Sequence, residues 1–253
     1  NFIDASELLE NKKGEHDINI GEGTLRRCKL KTFLLTGTLV VCKELKPVLS
    51  DKVAAGNEAR FLQGLTHRAF PFLFGVQVQE RPYSLVLEFL PTQDGGSEST
   101  TLADVLDNKS SLAQNVRQNM TRTDWKLFSE DLAEGLCHLH SKLFLHNDLK
   151  SDNIIISNKR GFIIDFGKAT TQDYPPAKKY TVRTYNHIAP EVLDGKPCSE
   201  ESDVYSLGRI LYKMAKHLDL KFLKKIAKEC MSANYIMRPS STLLLTEIRK
   251  ACV

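Results

Sequence analysis

The apolar residues of this 253-residue chain change period once, near residue 90, and that change constrains the fold more than any single motif. Before it the chain reads mostly as strands. "KLKTFLL", Thr36-Gly37 and "TLVVCKEL" predict two strands about a tight turn. "FPFLFGVQV" and "YSLVLEFL" predict a second hairpin around Arg81-Pro82. Between these pairs, "SDKVAAGNEARFLQGL" reads as a helix, with Glu58, Phe61, Leu62 and Leu65 at helical spacing. "PTQDGGSEST", residues 91–100, is a polar stretch rich in Gly, Ser and Thr and the best linker candidate. Beyond it the period becomes helical. Trp125, Phe128, Leu132, Leu136 and Leu139 form one series. Val204, Leu207, Leu211, Met214 and Leu218 form another, with Ser202 expected as its cap. Two short apolar strands, "NIIIS" and "GFIID", lie between these helices, joined by Asn158-Lys159-Arg160-Gly161. No internal repeat is seen. The expected architecture is α+β, a small mainly-β lobe followed by a larger mainly-helical one.

A chain of this length can bury a sizeable core, and its 42% hydrophobic and 26% charged residues are ordinary for a globular protein. Net charge is +4, from 35 basic and 31 acidic residues. Such a mild and scattered excess argues against nucleic acid or a membrane surface as partner. Lys221, Lys224, Lys225 and Lys228 do share one helical face, expected to be solvated. The six cysteines (Cys28, Cys42, Cys137, Cys198, Cys230 and Cys252) are far apart and make no C-x-x-C pair. That pattern argues against zinc and against a disulfide framework, and fits a reducing, cytoplasmic or otherwise intracellular compartment. No apolar run has transmembrane length and no signal peptide is seen. The first residue is Asn rather than Met, so an excised domain is expected, with regulatory domains or partners outside it. A monomer is the default.

Chemistry-bearing residues concentrate in "FLHNDLKSDNIIIS", residues 144–157, a polar hook between apolar runs. Asp148 and Asn153 are expected at the end of a helix and the start of a strand, and Asp165 follows in "IIDFG". An acid at a strand end, beside a glycine that lets the chain turn, suits a metal. Mg²⁺ prefers hard oxygen ligands, which Asn153 and Asp165 can supply. Asp148 is then left as a base or an orienter of a hydroxyl nucleophile.

H-x-D-L-x-x-x-N followed by D-F-G resembles the catalytic core of protein kinases. By that resemblance Asp148 is the catalytic Asp, and Asn153 and Asp165 hold Mg²⁺, or Mn²⁺ in its place. "IGEGTLRRC" resembles the glycine-rich loop, with Gly21 and Gly23 as its first two glycines. Lys43 occupies the place of the strand lysine that holds the α- and β-phosphates of ATP, and Glu58 is its natural partner. Leu87 resembles the gatekeeper, and Glu88, Phe89 and Leu90 resemble the hinge that binds adenine. "IAPE", residues 188–191, resembles the A-P-E end of the activation segment. Asp203 resembles the acid that anchors the catalytic loop, and Arg238 the partner of Glu191. The similarity covers about residues 20–245. It implies a single two-lobed kinase domain over residues 1–253, with the N-lobe and hinge at 1–90, the C-lobe at 91–253 and ATP held between the lobes.

Lys150 and Thr184 match the serine/threonine pattern, so the implied activity is transfer of the ATP γ-phosphate to Ser/Thr hydroxyls of a protein substrate. Several positions depart from the family. Arg26 replaces the third glycine of the loop. Asn147 replaces the Arg that meets a phosphate on the activation segment, which implies little dependence on segment phosphorylation through this position. Arg183 and His187 stand where Gly and Tyr are usual, and His187 is expected to pack or hydrogen-bond locally. Thr170, Thr171, Tyr174, Tyr180 and Thr181 are the segment's hydroxyls. From Gly208 to Arg238 a helix and loop of the family are missing. A pseudokinase, a nucleotide-binding signalling scaffold, is the alternative these departures keep open. A small-molecule kinase is disfavoured by "IAPE" and Arg238.

Overall fold

The computed structural model describes residues 1–13, 16–17, 19–22, 26–45, 51–177 and 185–252. The chain divides into two compact units. One comprises residues 1–66 and 71–90, the other residues 67–70 and 91–253.

The first unit is a twisted sheet with one helix. Its elements are β1 (Leu8–Glu10), β2 (Lys12–Lys13), β3 (His16–Asp17), β4 (Asn19–Glu22), β5 (Arg26–Phe33), β6 (Thr38–Leu45), α1 (Asp51–Gly64), β7 (Leu73–Gln77) and β8 (Ser84–Glu88). The main sheet runs β1-β5-β6-β8-β7, with β4 also on β5, and β2 pairs β3 separately. β5 and β6 form the long hairpin expected from the alternating sequence, in register from Arg26↔Leu45 to Phe33↔Thr38. Its turn needs Gly37, whose φ of 67° lies in the left-handed region. Val40 and Cys42, two apart on β6, point to one face and pack with Ile3, Leu8, Phe33 and Val86. Lys43 therefore points to the opposite face. On α1 the buried positions are Ala55, Glu58, Ala59, Phe61 and Leu62. Glu58 thus sits within the helix's apolar stripe.

The second unit holds β9 (Thr100–Thr101), α2 (Leu102–Asp107), α3 (Ser111–Asn119), α4 (Arg122–Ser141), β10 (Phe144–Leu145), β11 (Ile154–Ser157), β12 (Arg160–Ile163), β13 (Thr170–Thr171), α5 (Pro190–Leu193), α6 (Glu200–His217), α7 (Lys221–Cys230) and α8 (Ser241–Lys250). α4 opens with a capping box between Thr121 and Asp124, and buries Trp125, Phe128, Leu132, Leu136 and Leu139 as its spacing predicts. α6 and α7 pack closely at Gly208, where an added Cβ would stand 2.5 Å from Cys230 Cβ. Only Leu218, Asp219 and Leu220 separate these helices. Asp219 takes the left-handed φ of 52° that reverses the chain. Among the described residues no helix is long and apolar enough to cross a membrane.

Three expectations are corrected. The residues 91–100 are not a free linker. Asn158 N–H donates to Thr92 O, Ser157 Oγ to Pro91 O and Asn158 Nδ2 to Asp94, so the stretch is tied to the second unit. The connection between β11 and β12 is Asn158-Lys159 alone, both at positive φ (48° and 64°), the geometry of a two-residue hairpin turn; Arg160 and Gly161 belong to β12. Ser202 is not the cap of α6. Ser199 holds that place, and Ser202 sits one turn inside, its Oγ accepting the Ser199 N–H at 3.0 Å.

Candidate active site

The polar hook is shaped by a carboxylate more than fifty residues away. Asp203, buried in the first turn of α6, accepts the His146 N–H at 2.7 Å and the Asn147 N–H at 2.9 Å. Two backbone donors at the sharpest part of the loop are thus satisfied by one side chain. Asn147 there has a φ of 64°, which Asn tolerates better than most residues. His146 is fully buried. Its Nδ1 accepts the Asp148 N–H (3.3 Å), which leaves Nε2 to donate to Ile164 O (3.2 Å). The loop is locked from both sides before the surroundings of Asp148 are considered.

Asp148 is therefore not at a helix end, as expected, but beyond α4 and β10, on a loop between Leu145 and the turn Ser151–Asn153. Asp148 is 4% exposed, and its carboxylate is surrounded by donors. Oδ1 lies 2.9 Å from Lys168 Nζ and 3.3 Å from His187 Nε2. Oδ2 lies 3.4 Å from Asn153 Nδ2 and 3.7 Å from Lys150 Nζ. Burial works to raise the Asp148 pKa. The hydrogen bonds from His187 and Lys168, with the charges of Lys168 and Lys150, outweigh it and hold the carboxyl well below the usual carboxylate range.

Asn153 is buried and spends its amide nitrogen on Asp148, at 2.9 Å from the backbone oxygen. Its amide oxygen is then directed away from that contact. Asn153 O accepts the Ile164 N–H at 2.9 Å, which fixes the start of "DFG" beside the hook. Asp165 follows with a φ of 68°, and its Oδ1 accepts the Gly167 N–H at 3.3 Å. Phe166 is buried against His146 and Phe70, ring centroids 5.1 and 5.5 Å apart. Among the described residues no three of His, Cys, Asp and Glu gather into a metal cage. One carboxylate and one amide oxygen would suit a hard divalent cation.

A separate pair lies within the first unit. Lys43 Nζ and Glu58 Oε1 are 2.6 Å apart and nearly fully buried, an ion pair in the stripe where α1 faces the sheet. Glu58 could not sit in that apolar stripe as an anion without such a partner. Gly21 lies in β4 opposite Cys28. Gly23, Tyr180, Thr181, Arg183 and Thr184 lie outside the described residues. Leu87 and Glu88 end β8, paired with Val41 and Val40, and Leu90 is buried two residues on.

Sequence reasoning missed Lys168 as a partner of Asp148, and it placed His187 as a local hydrogen-bonding residue without naming Asp148. Their signal, two basic residues flanking the segment after "DFG", carries no fixed spacing to Asp148. Asn147 also does more than lack a charge: its Nδ2 donates to Lys168 O and Thr170 Oγ1, both at 2.9 Å. Downstream, Arg238 grips Glu191 in a two-pronged pair at 2.7 and 2.8 Å and donates to the backbone at Glu201 and Ser232.

Comparison with known proteins agrees with this geometry. The protein kinase domain family matches residues 15–245. Serine/threonine-protein kinase Nek8 of Danio rerio is 30% identical over 201 residues, 76% of this chain and 26% of that protein. Human myosin light chain kinase 3 is 30% identical over 224 residues, 86% of this chain and 25% of that one. The probable serine/threonine-protein kinase CCRP1 of Zea mays is 30% identical over 233 residues, 83% of this chain and 34% of its own length. The chain spans only about a quarter to a third of these curated relatives. It belongs to the protein kinase family, whose members use ATP and a divalent metal ion to phosphorylate proteins.

Proposed function

We propose that the chain is an active serine/threonine kinase domain, its residues 1–90 forming the N-lobe and hinge and 91–253 the C-lobe. The observation that carries this reading is the state of Asp148: buried, ionised, oriented by Asn153 and flanked by Lys150 at 3.7 Å. In this reading Asp148 accepts a hydrogen bond from a substrate Ser or Thr hydroxyl and aims its oxygen. Lys150 offsets charge on the phosphoryl group in transit. Lys43, held by Glu58, positions the ATP phosphates, and Gly21 and Gly23 match the family's phosphate-binding glycines. Leu87, Glu88 and Leu90 line the adenine end. Asn153 and Asp165 hold Mg²⁺, which supplies electrostatic stabilisation of the phosphate oxygens. The residues' work is placement and charge compensation, not covalent chemistry. Protein substrates and a cytoplasmic setting follow from this reading.

One observation favours the second reading, a nucleotide-binding scaffold. Lys168 and His187 together occupy Asp148 Oδ1, the kind of oxygen an acceptor hydroxyl must reach. The two readings separate in one assay: phosphate incorporation from labelled ATP and Mg²⁺ into a generic basic protein, with Asp148→Asn in parallel. Transfer that the variant loses, on Ser and Thr by phosphoamino-acid analysis, is the expected result. ATP binding without transfer would establish the scaffold instead.

A further inference from the structure

Two stretches of chain meet at Asp148, and one turn of α6 holds both. Asp203 accepts the His146 and Asn147 N–H groups and so fixes the loop that carries Asp148. Ser206, three residues on and on the same face of α6, donates its Oγ to the His187 backbone oxygen at 2.7 Å. It so fixes the stretch that carries His187. The Ile188 N–H closes that stretch onto the Tyr185 oxygen at 3.1 Å, and the Tyr185 ring stands edge-on to the imidazole, centroids 6.2 Å apart. The half-buried His187 side chain therefore starts from a pinned backbone and ends on the Asp148 carboxylate.

The two oxygens of that carboxylate keep different company. Oδ1 meets His187 Nε2 at 3.3 Å and Lys168 Nζ at 2.9 Å. An ionised carboxylate only accepts, so Nε2 carries the proton whether the ring is neutral or charged. Lys168 comes to Oδ1 on a long, exposed stem and is screened by solvent. Of the two, His187 is the donor held at both ends. Among the described residues Oδ2 meets Asn153 Nδ2 at 3.4 Å and Lys150 Nζ at 3.7 Å. Asn153 makes its shorter bond, 2.9 Å, to the Asp148 backbone oxygen. Oδ2 thus keeps accepting capacity, beside an ammonium.

We propose that His187 is a positioning residue: by donating Nε2–H to Oδ1 it fixes the plane of the Asp148 carboxylate, so that Oδ2, beside Lys150, is the oxygen that receives the acceptor hydroxyl. The inference rests on the kinase reading above and names the geometry by which it works. A carboxylate held by one oxygen alone turns about its Cβ–Cγ bond, and a hydroxyl that follows it is carried off the line of transfer. A second, fixed donor removes that freedom. What His187 supplies is a hydrogen bond at a set place, not a proton.

The test is steady-state transfer from labelled ATP with Mg²⁺ to a generic basic protein, by the whole chain and by His187→Leu and His187→Gln. Leu offers no donor. Gln offers an amide N–H at the reach of Nε2 and cannot take up a proton at neutral pH. His187→Leu should lower kcat by about ten- to a hundredfold and leave KM for ATP within about twofold of the parent. His187→Gln should recover kcat to within about threefold of the parent. An unchanged kcat in His187→Leu, with the parent active, would overturn this inference and leave the kinase reading standing. A Gln variant as impaired as the Leu variant would also overturn it, because the ring's own titration would then be what transfer requires. A Leu variant that raises KM for ATP and spares kcat would do the same, showing a disturbed site rather than a misaimed carboxylate. No transfer by the parent would overturn the kinase reading itself, and this inference with it.

Discussion

Lys168 joins two parts of the chain that its sequence keeps twenty residues apart, and it does so with an ammonium that is 64% exposed. Such a pair contributes modestly, since solvent screens it. The direction of its effect on Asp148 is nevertheless fixed. A carboxyl whose pKa is depressed on folding adds stability that is fully present above its unfolded pKa of about 4 and is lost as pH falls through the folded value. Lys168→Met removes one of the groups that depress it, so less of this stability is present at neutral pH. Urea midpoints measured from neutral pH downward should show the variant below the parent near neutrality, with the gap closing on the acid side. Equal midpoints near neutrality would mean that the contact is absent in solution. This contact was not legible beforehand, whereas Asp148, Asn153 and Asp165 were. Those three sit in rigid local motifs whose spacing encodes their role. Lys168 and His187 reach Asp148 through the path of the segment between them, which no local pattern records.

Elements were legible where one face is buried and the other wet. α4 and α6 declared their buried stripes through spacing, and the β5–β6 hairpin declared itself through alternation. Ends were less legible. Ser199 and Ser202 are both good caps by composition, and only the hydrogen bond between them shows which one begins α6. The stretch at 91–100 has linker composition, yet its polar groups are spent on the β11–β12 hairpin. Gly208 carries a prediction at this scale. Propensity alone makes Gly→Ala in a helix interior stabilising by up to about 1 kcal/mol. Here the new Cβ would meet Cys230 Cβ at 2.5 Å and the Ala227 carbonyl oxygen at 3.2 Å, so α7 must move. Gly208→Ala is therefore expected to destabilise by about 1–3 kcal/mol, read as a lowered thermal midpoint.

For the molecule as a whole, the six cysteines test the packing of both units at once. None is in a disulfide. Cys42 in the first unit and Cys230 in the second are buried, and burial pushes each thiol up to about 12. Cys252 is exposed. An aromatic disulfide reagent at neutral pH should modify Cys252 fast and leave Cys42 and Cys230 untouched until the chain unfolds, with mass spectrometry giving the sites. Early labelling of Cys42 or Cys230 would show that the corresponding unit opens more readily than its packing implies.

The Glu191–Arg238 pair ties together positions 47 residues apart, its arginine wholly enclosed. Pinning two distant points shrinks the freedom of everything threaded between them, which here includes the whole of α6 and α7. Secreted proteins obtain such a cross-link from sulfur. This chain obtains it from a guanidinium and a carboxylate, a staple that no reductant can open and that reforms each time the chain refolds, without an oxidant or an isomerase.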